Sequence, residues 1–214
     1  MSSLIEPRKI VLIKRKRKNY NIKIAEPSLN TPNRGNGAGG SKTNETGKNW
    51  EMITSNLNNL INDGFTRSCE GHLFKINENY TLTYFTQGEL KRYFQKKYDI
   101  SIFRKPDEAY LLELNDGRKI LKILEKKYQS VEGSVEDKLL TGNQIKREYT
   151  IKLQSLNIEV SYAYCVNQFL EKKLKSNKDK YIIWNKMFLQ DDIVLFYGGN
   201  DNYFLRLNEW INSY

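Results

Sequence analysis

The chain has 214 residues, a formal net charge of +10 and a single histidine. One histidine argues against zinc fingers, nucleases built on paired histidines and Ser-His-Asp hydrolases, so chemistry is expected from carboxylates and lysines. The chain shows no apolar run of about 18 residues and no signal-peptide pattern. Its two cysteines, far apart in sequence, are typical of a reducing compartment. We therefore expect a soluble, intracellular, cytoplasmic protein with no membrane partner.

The basic charge is concentrated at the start of the chain. Residues 1–50 hold 11 basic and 3 acidic residues, which is 8 of the 10 surplus charges. We therefore predict a basic arm over 1–30 and one domain over 31–214. A polyanion is the expected partner, and nucleic acid is favoured over an anionic membrane surface. A plain solvated tail and a nuclear address are alternatives. The arm residues expected to contact phosphates are Lys14, Arg15, Lys16, Arg17 and Lys18.

The first half of the predicted domain alternates loop, helix and short strands. Residues 27–49 are rich in Gly, Pro and Asn, which predicts a loop. Apolar residues then recur at steps of three and four, which predicts a helix over about 50–63 ending at Gly64. Strand-like pieces follow within 72–86, with a helix near 88–98. The apolar positions of the first helix are Trp50, Ile53, Leu57, Leu60 and Ile61.

The second half begins with a predicted hairpin. "EAYLLEL" and "RKILKILEKKYQ" read as strands joined at Asp116-Gly117, a strong turn signal. A helix is predicted over about 134–156 with Ser134 as N-cap. "IEVSYAYCVNQ" predicts a core strand, "FLEKKLKS" a basic helix, and the C-terminal "YFLRLNEWINSY" another helix. This order predicts an α/β fold (mixed α+β), with a mixed central sheet flanked by helices.

Charged residues meet at the end of the second hairpin strand. Residues two apart in a strand share a face, so Glu125 and Lys127 lie together. Closing the hairpin brings the start of one strand, beside Asp107, near the end of the other. Two carboxylates form a site for a hard cation such as Mg²⁺, and a lysine beside it can stabilise charge on a phosphate. The alternatives are a turn cap at Asp107 and an exposed Glu125–Lys127 pair.

Three sequence blocks occur in order along the chain: "GAGGSKTNETGKNWE" (37–51), "PDEAY" (106–110) and "EKKYQSVEGSVEDKL" (125–139). They resemble blocks of the PD-(D/E)xK nucleases, and in particular of a group of small type II restriction endonucleases. The resemblance implies a restriction-endonuclease-like core, with catalytic Asp107, Glu125 and Lys127. It places Mg²⁺ on Asp107, Glu125 and the backbone carbonyl of Lys126, with Glu51 on the first helix beside the metal. Tyr128 departs from the small polar residue expected there.

The resemblance also implies cleavage of double-stranded DNA by a homodimer, with a DNA methyltransferase as its genetic partner. Further residues are DNA-binding candidates only because they lie near the matched blocks: Arg34, Lys42, Gln129 and Asn143. Two other functions stay open. One is a structure-specific repair or junction nuclease with the same site, and the other is an inactive basic DNA-binding protein.

Three further features have simpler explanations. The Gly37–Gly40 loop lacks the preceding strand and the Gly-Lys-Ser/Thr ending of a nucleotide-binding loop. We expect His72 to be a structural or surface residue and not a ligand, and Asp191-Asp192 to form a turn or a solvated edge.

Overall fold

A mixed β-sheet organises the part of the chain that the structure describes. The structure is a computed structural model that describes residues 41–214, with side chains from residue 45 onward. These residues all belong to one compact unit. The predicted arm over 1–30 and the Gly37–Gly40 loop lie outside the described residues, as do several DNA-binding candidates: Lys14, Arg15, Lys16, Arg17, Lys18 and Arg34.

The sheet has seven strands, which lie side by side in chain order. Neighbours from the first to the fifth strand are antiparallel, whereas the fifth, sixth and seventh are parallel. The predicted mixed sheet is therefore confirmed. The strands are β1 (Thr66–Arg67), β2 (Leu73–Ile76), β3 (Tyr80–Thr86), β4 (Glu108–Leu114), β5 (Lys119–Lys127), β6 (Ile158–Val166) and β7 (Ile193–Tyr197).

Helices cover both faces of the sheet. Short 3₁₀ segments, Asp137–Thr141 and Gln154–Leu156, flank the fourth helix. No helix in the part of the chain that the structure describes is long and apolar enough to cross a membrane. The helices are α1 (Ser41–Ile53), α2 (Leu57–Asn62), α3 (Gly88–Tyr98), α4 (Gly142–Leu153), α5 (Gln168–Leu174), α6 (Asp179–Gln190) and α7 (Tyr203–Asn212).

Alternate residues of the central strands fill two separate cores. In β5, Leu121 and Ile123 pack on the side of α3 to α6, and Leu124 packs on the side of α1, α2 and α7. All three side chains are fully buried, and each such burial stabilises the fold by about 1.5–3 kcal/mol. Burial on both faces explains why β5 is apolar at successive positions and not only at alternate ones.

The hairpin between β4 and β5 closes where the sequence predicts. Gly117 has a φ of +90°, which a residue without a side chain adopts at little cost. Its N–H donates to the carbonyl of Leu114, and the N–H of Leu114 donates to the carbonyl of Arg118. The turn thereby sets the register that pairs Glu108 with Leu124.

The helix predicted over 50–63 is wrong as a single helix, and the loop predicted over 27–49 is wrong from Ser41 onward, where α1 begins. The chain leaves helical geometry after Ile53, and the N–H of Asn56 donates to the buried Glu108 carboxylate at 3.1 Å. This contact with the sheet redirects the chain, so α2 starts a new helix at Leu57. Ile53 and Ile61, expected in the core, are 62% and 48% exposed.

The helix start predicted at Ser134 is also wrong. Residues 134–136 form a turn, a 3₁₀ segment follows, and the α-helix begins at Gly142. The Glu136 carboxylate accepts hydrogen bonds from Lys173, Lys180 and Tyr181. These contacts attach the segment that precedes α4 to the helices α5 and α6. The segment therefore does not adopt α-helical geometry.

Candidate active site

The end of β5 lies beyond the end of its partner β4. The β4–β5 ladder stops at the Glu108–Leu124 pair, so among residues 41–214 the segment 125–127 has a strand partner on one side only, which is β6. On the open side, the Asp107 Oδ2 atom accepts the N–H of Lys126 at 2.6 Å. The structure thus brings Asp107 to the strand end that carries Glu125 and Lys127.

The backbone carbonyl of Lys126 points toward the same open side. In an extended strand, the N–H and C=O of one residue point to the same edge, and the N–H of Lys126 faces Asp107. Continuing the observed register would place Pro106 opposite Lys126. Proline has no N–H to donate, so no ladder bond from Pro106 occupies this carbonyl.

Glu125 and Lys127 form a partly buried ion pair on one face of β5. The Lys127 Nζ atom donates to Glu125 Oε2 at 2.9 Å, and the two side chains are 25% and 14% exposed, respectively. Burial raises the pKa of Glu125, Asp107 raises it further, and Lys127 opposes both effects. Burial alone would lower the pKa of Lys127, but the Glu125 and Asp107 carboxylates outweigh it and raise the pKa.

Asp107 and Glu51 lie close enough for their charges to interact. Burial raises the pKa of Asp107, against the effect of the hydrogen bond from Lys126. Burial also raises the pKa of Glu51, and the charge of Asp107 raises it further. Within residues 41–214, no three Asp, Glu, His or Cys side chains converge closely enough to form a metal site by themselves. A cation here would therefore need the backbone carbonyl as well as side chains.

Two clefts flank the end of β5. The first, of 460 Å³, lies on the Glu125 and Lys127 side; the second, of 310 Å³, includes Asp107 and Glu51. The first is lined by Phe103, Arg104, Lys105, Glu125, Lys127, Lys138, Thr141, Ile145 and Tyr164. The second is lined by Lys48, Glu51, Met52, Ser55, Tyr84, Thr86, Gln87, Asp107, Glu108 and Lys126.

The sequence did not predict a buried ion pair in the wall of the second cleft, between Lys126 and Glu108. The Lys126 Nζ atom donates to Glu108 Oε1 at 2.7 Å and to the carbonyl of Glu51 at 3.0 Å. The N–H of Asn56 and the hydroxyl of Tyr110 also donate to the Glu108 carboxylate. Strand alternation could have indicated that the Lys126 side chain is buried, because it lies two residues after Leu124 on the same face of β5. The pair connects α1 to the strand that carries the site.

The remaining DNA-binding candidates have different surroundings. Gln129 is buried, and its amide donates to the carbonyls of Val131 and Gly133, which shapes the loop after β5. Asn143 is exposed and donates to Asp191 at 2.9 Å. Lys42 lies in α1, but its side chain is outside the described part of the structure.

Two structural expectations from the sequence hold. His72 packs against the rings of Phe85 and Tyr93. Asp191 and Asp192 form the turn between α6 and β7, where Lys146 donates to both main-chain carbonyls.

The strand end therefore combines carboxylate oxygens, a backbone carbonyl and an ammonium group, beside two clefts. This set can bind a hard cation and stabilise an anionic reacting group. No protein-family model, no curated protein and no solved structure matches this chain.

Proposed function

We propose that this protein is a Mg²⁺-dependent endonuclease that cuts both strands of duplex DNA at specific sequences, as type II restriction enzymes of the PD-(D/E)xK superfamily do. One observation carries the proposal. Asp107 binds the backbone of β5 at the point where Glu125 and Lys127 share a face, on a strand end that β4 leaves open.

The donor atoms at this strand end suit Mg²⁺. The ligands would be the carboxylates of Asp107 and Glu125 and the carbonyl of Lys126, with Glu51 nearby, and Mg²⁺ prefers a few such oxygens together with water. Burial raises the pKa values of Asp107 and Glu125, and a bound cation would favour the ionised form of both carboxylates. When bound, the ion supplies Lewis-acid stabilisation of the phosphate and activates water.

Lys127 has the chemistry for the charge that develops on the phosphate. Its ammonium group is held by Glu125 at 2.9 Å and faces the first cleft. A raised pKa keeps it protonated at neutral pH. In the proposed reaction the oxygen of water forms a bond to phosphorus and gives up a proton to solvent, while the bond to the leaving sugar oxygen breaks and that oxygen takes up a proton from solvent. Lys127 stabilises the added negative charge between these events.

The sequence supplies the reasons for DNA as substrate and for the partners. The basic arm over 1–30 would neutralise phosphates and make binding depend strongly on salt. We also propose that the protein is a homodimer, that it is cytoplasmic and that a DNA methyltransferase protects the host DNA. These three points rest on the resemblance of this sequence to type II restriction enzymes.

Cleavage of unmethylated phage DNA in Mg²⁺ tests this function. We expect discrete fragments from the natural protein and a loss of activity of at least about 100-fold in Asp107→Asn and in Lys127→Met. The matched controls are Asp116→Asn, an exposed carboxylate that also accepts a backbone N–H, and Lys96→Met, which breaks an exposed Lys–Glu pair. Both controls should cut normally.

The other outcomes assign the alternative functions. A smear, or cutting of branched DNA only, would indicate a structure-specific nuclease. DNA binding without any cutting in Mg²⁺ would indicate a binding protein. Full activity in Asp107→Asn would remove Asp107 from the metal site.

Thermal unfolding provides a second readout that does not depend on cleavage. A ligand that binds only the folded state raises its stability, so Mg²⁺ should raise the Tm of the natural protein but not that of Asp107→Asn. Without metal the variant should be at least as stable as the natural protein at pH 7. The folded-state pKa of Asp107 is raised, so its ionised form opposes folding above that pKa. Equal Mg²⁺ shifts in both proteins would contradict the assigned ligand.

A further inference from the structure

The two clefts at the end of β5 differ in charge. Four cationic side chains and one carboxylate line the first cleft. Three carboxylates and two lysines line the second. Lys126 and Glu108 pair with each other, which leaves Glu51 and Asp107 against Lys48. The first cleft therefore attracts anions and the second attracts cations.

Two of the four cations of the first cleft, Lys105 and Lys138, are available to a ligand. Among the described residues, no carboxylate lies within ion-pair distance of Lys105 or Lys138, and both residues are exposed. Arg104 is held by Glu148 at 2.9 Å, which orients its guanidinium and leaves further N–H donors for a second acceptor. Lysine and arginine side chains supply many of the contacts to phosphate oxygens in protein–DNA complexes.

The same cleft contains the predicted reacting group. Lys127 and Glu125 line its wall together with Lys105 and Lys138. A phosphate beside Lys127 would therefore have its neighbours along a strand within the same basic cleft. The carboxylates of Asp107 and Glu51 line the other side of the strand end, where a polyanion would be repelled.

We propose that the cut DNA strand lies in the first cleft, with Lys105 and Lys138 as phosphate-positioning residues beside the scissile phosphate, and that the cation enters from the second cleft. This rests on the proposed function for the identity of the scissile phosphate. It adds the path of the DNA strand and two phosphate-binding residues, neither of which is among the metal or catalytic residues that the sequence predicts.

Salt-dependent binding tests the proposal on the full chain. The probe is a 30-base-pair duplex of mixed sequence, about three helical turns, and EDTA keeps it uncut. Each phosphate contact contributes about 0.9 to the slope of log affinity against log salt. Lys105→Ala/Lys138→Ala should therefore lose two contacts. Between 50 and 200 mM salt, the affinity of the natural protein should fall about tenfold more than that of the variant.

Two matched variants separate cleft binding from general charge. Lys172→Ala/Lys186→Ala removes the same charge from exposed lysines of α5 and α6 that do not line the cleft. It should keep the natural slope. Lys105→Arg/Lys138→Arg keeps the charge and should also keep the slope. Equal losses in the two alanine pairs, or a natural slope in Lys105→Ala/Lys138→Ala, would overturn the proposal.

Chemical acetylation read by mass spectrometry locates the DNA directly. Bound duplex should slow the acetylation of Lys105 and Lys138 several-fold and leave Lys172 and Lys186 unchanged. Unprotected cleft lysines would contradict the proposal even if the double variant folded poorly. Because both measurements are made in EDTA, they are independent of cutting. Protection in a protein that never cuts would refute the nuclease function alone, and normal cutting without protection would refute the cleft alone.

Discussion

The Glu108–Lys126 pair shows how two buried side chains support the site from the wall of the second cleft. Both side chains are 2% exposed, and the Glu108 carboxylate accepts hydrogen bonds from Lys126, Asn56 and Tyr110. A buried ion pair costs desolvation, which good geometry and additional hydrogen bonds offset. Removing one partner leaves the other charge buried without compensation.

We therefore predict that Glu108→Ala lowers the free energy of unfolding by about 3–5 kcal/mol, because it leaves the Lys126 ammonium buried without a counter-charge. Adding Lys126→Met removes that charge and should recover a large part of the loss. Urea denaturation measures both variants. The control Glu70→Ala breaks an exposed pair with Lys96 and should leave the urea midpoint unchanged. If the double variant were less stable than Glu108→Ala, the ion pair would not explain the cost.

At the scale of elements, close packing holds α1 against the sheet. Gly198 follows β7, and a Cβ atom there would lie 2.7 Å from Cys165 Sγ and 2.7 Å from Thr54 Cγ2. Trp50, from the same helix as Glu51, is also within 2.8 Å of that position. The absence of a side chain at Gly198 therefore allows α1 to approach β6 and β7.

We predict that Gly198→Ala destabilises the protein by about 1–3 kcal/mol, as overpacking of a core does. Gly199→Ala is the matched control, because a Cβ atom at Gly199 meets nothing within 4 Å. Thermal unfolding compares the two. Similar losses in both variants would indicate a backbone effect of alanine and not a steric one.

The same elements show which structural features local sequence patterns predict and which they do not. The β4–β5 hairpin and its proximity to Asp107 follow from alternation and one turn, and the structure confirms the hairpin. The break between α1 and α2 was not predictable from periodicity. It depends on a hydrogen bond from Asn56 to Glu108, 52 positions away, and a local window contains only one of the two partners.

At the scale of the whole molecule, Lys122 connects the centre of the sheet to the C-terminal helix. It lies in β5 on the same face as Lys126, and its ammonium donates to the carbonyls of Trp210 and Ser213 and to the Ser213 hydroxyl. The side chain is enclosed by the core on the α7 side of the sheet. Burial lowers its pKa to about 8.

This lowered pKa predicts a pH dependence of stability. A lysine in the unfolded chain has a pKa of about 10.4. Between pH 8 and pH 10 the unfolded state therefore binds more protons than the folded state. Stability contributed by Lys122 therefore rises with pH in this window. Relative to Lys122→Met, the natural protein should gain about 2 kcal/mol from pH 8 to pH 10 in urea denaturation. A constant difference between the two proteins would contradict the lowered pKa.

The sequence by itself determined the mixed fold class, the hairpin and the meeting of Asp107 with Glu125 and Lys127. These features depend on strand alternation and a short turn, which act between neighbours in the chain. Only the tertiary structure decided the buried Glu108–Lys126 pair and the opposite charges of the two clefts. Lys126 and the carbonyl of Glu51 are 75 positions apart, and folding alone brings such distant groups together because their contacts depend on the packing of α1 against the sheet.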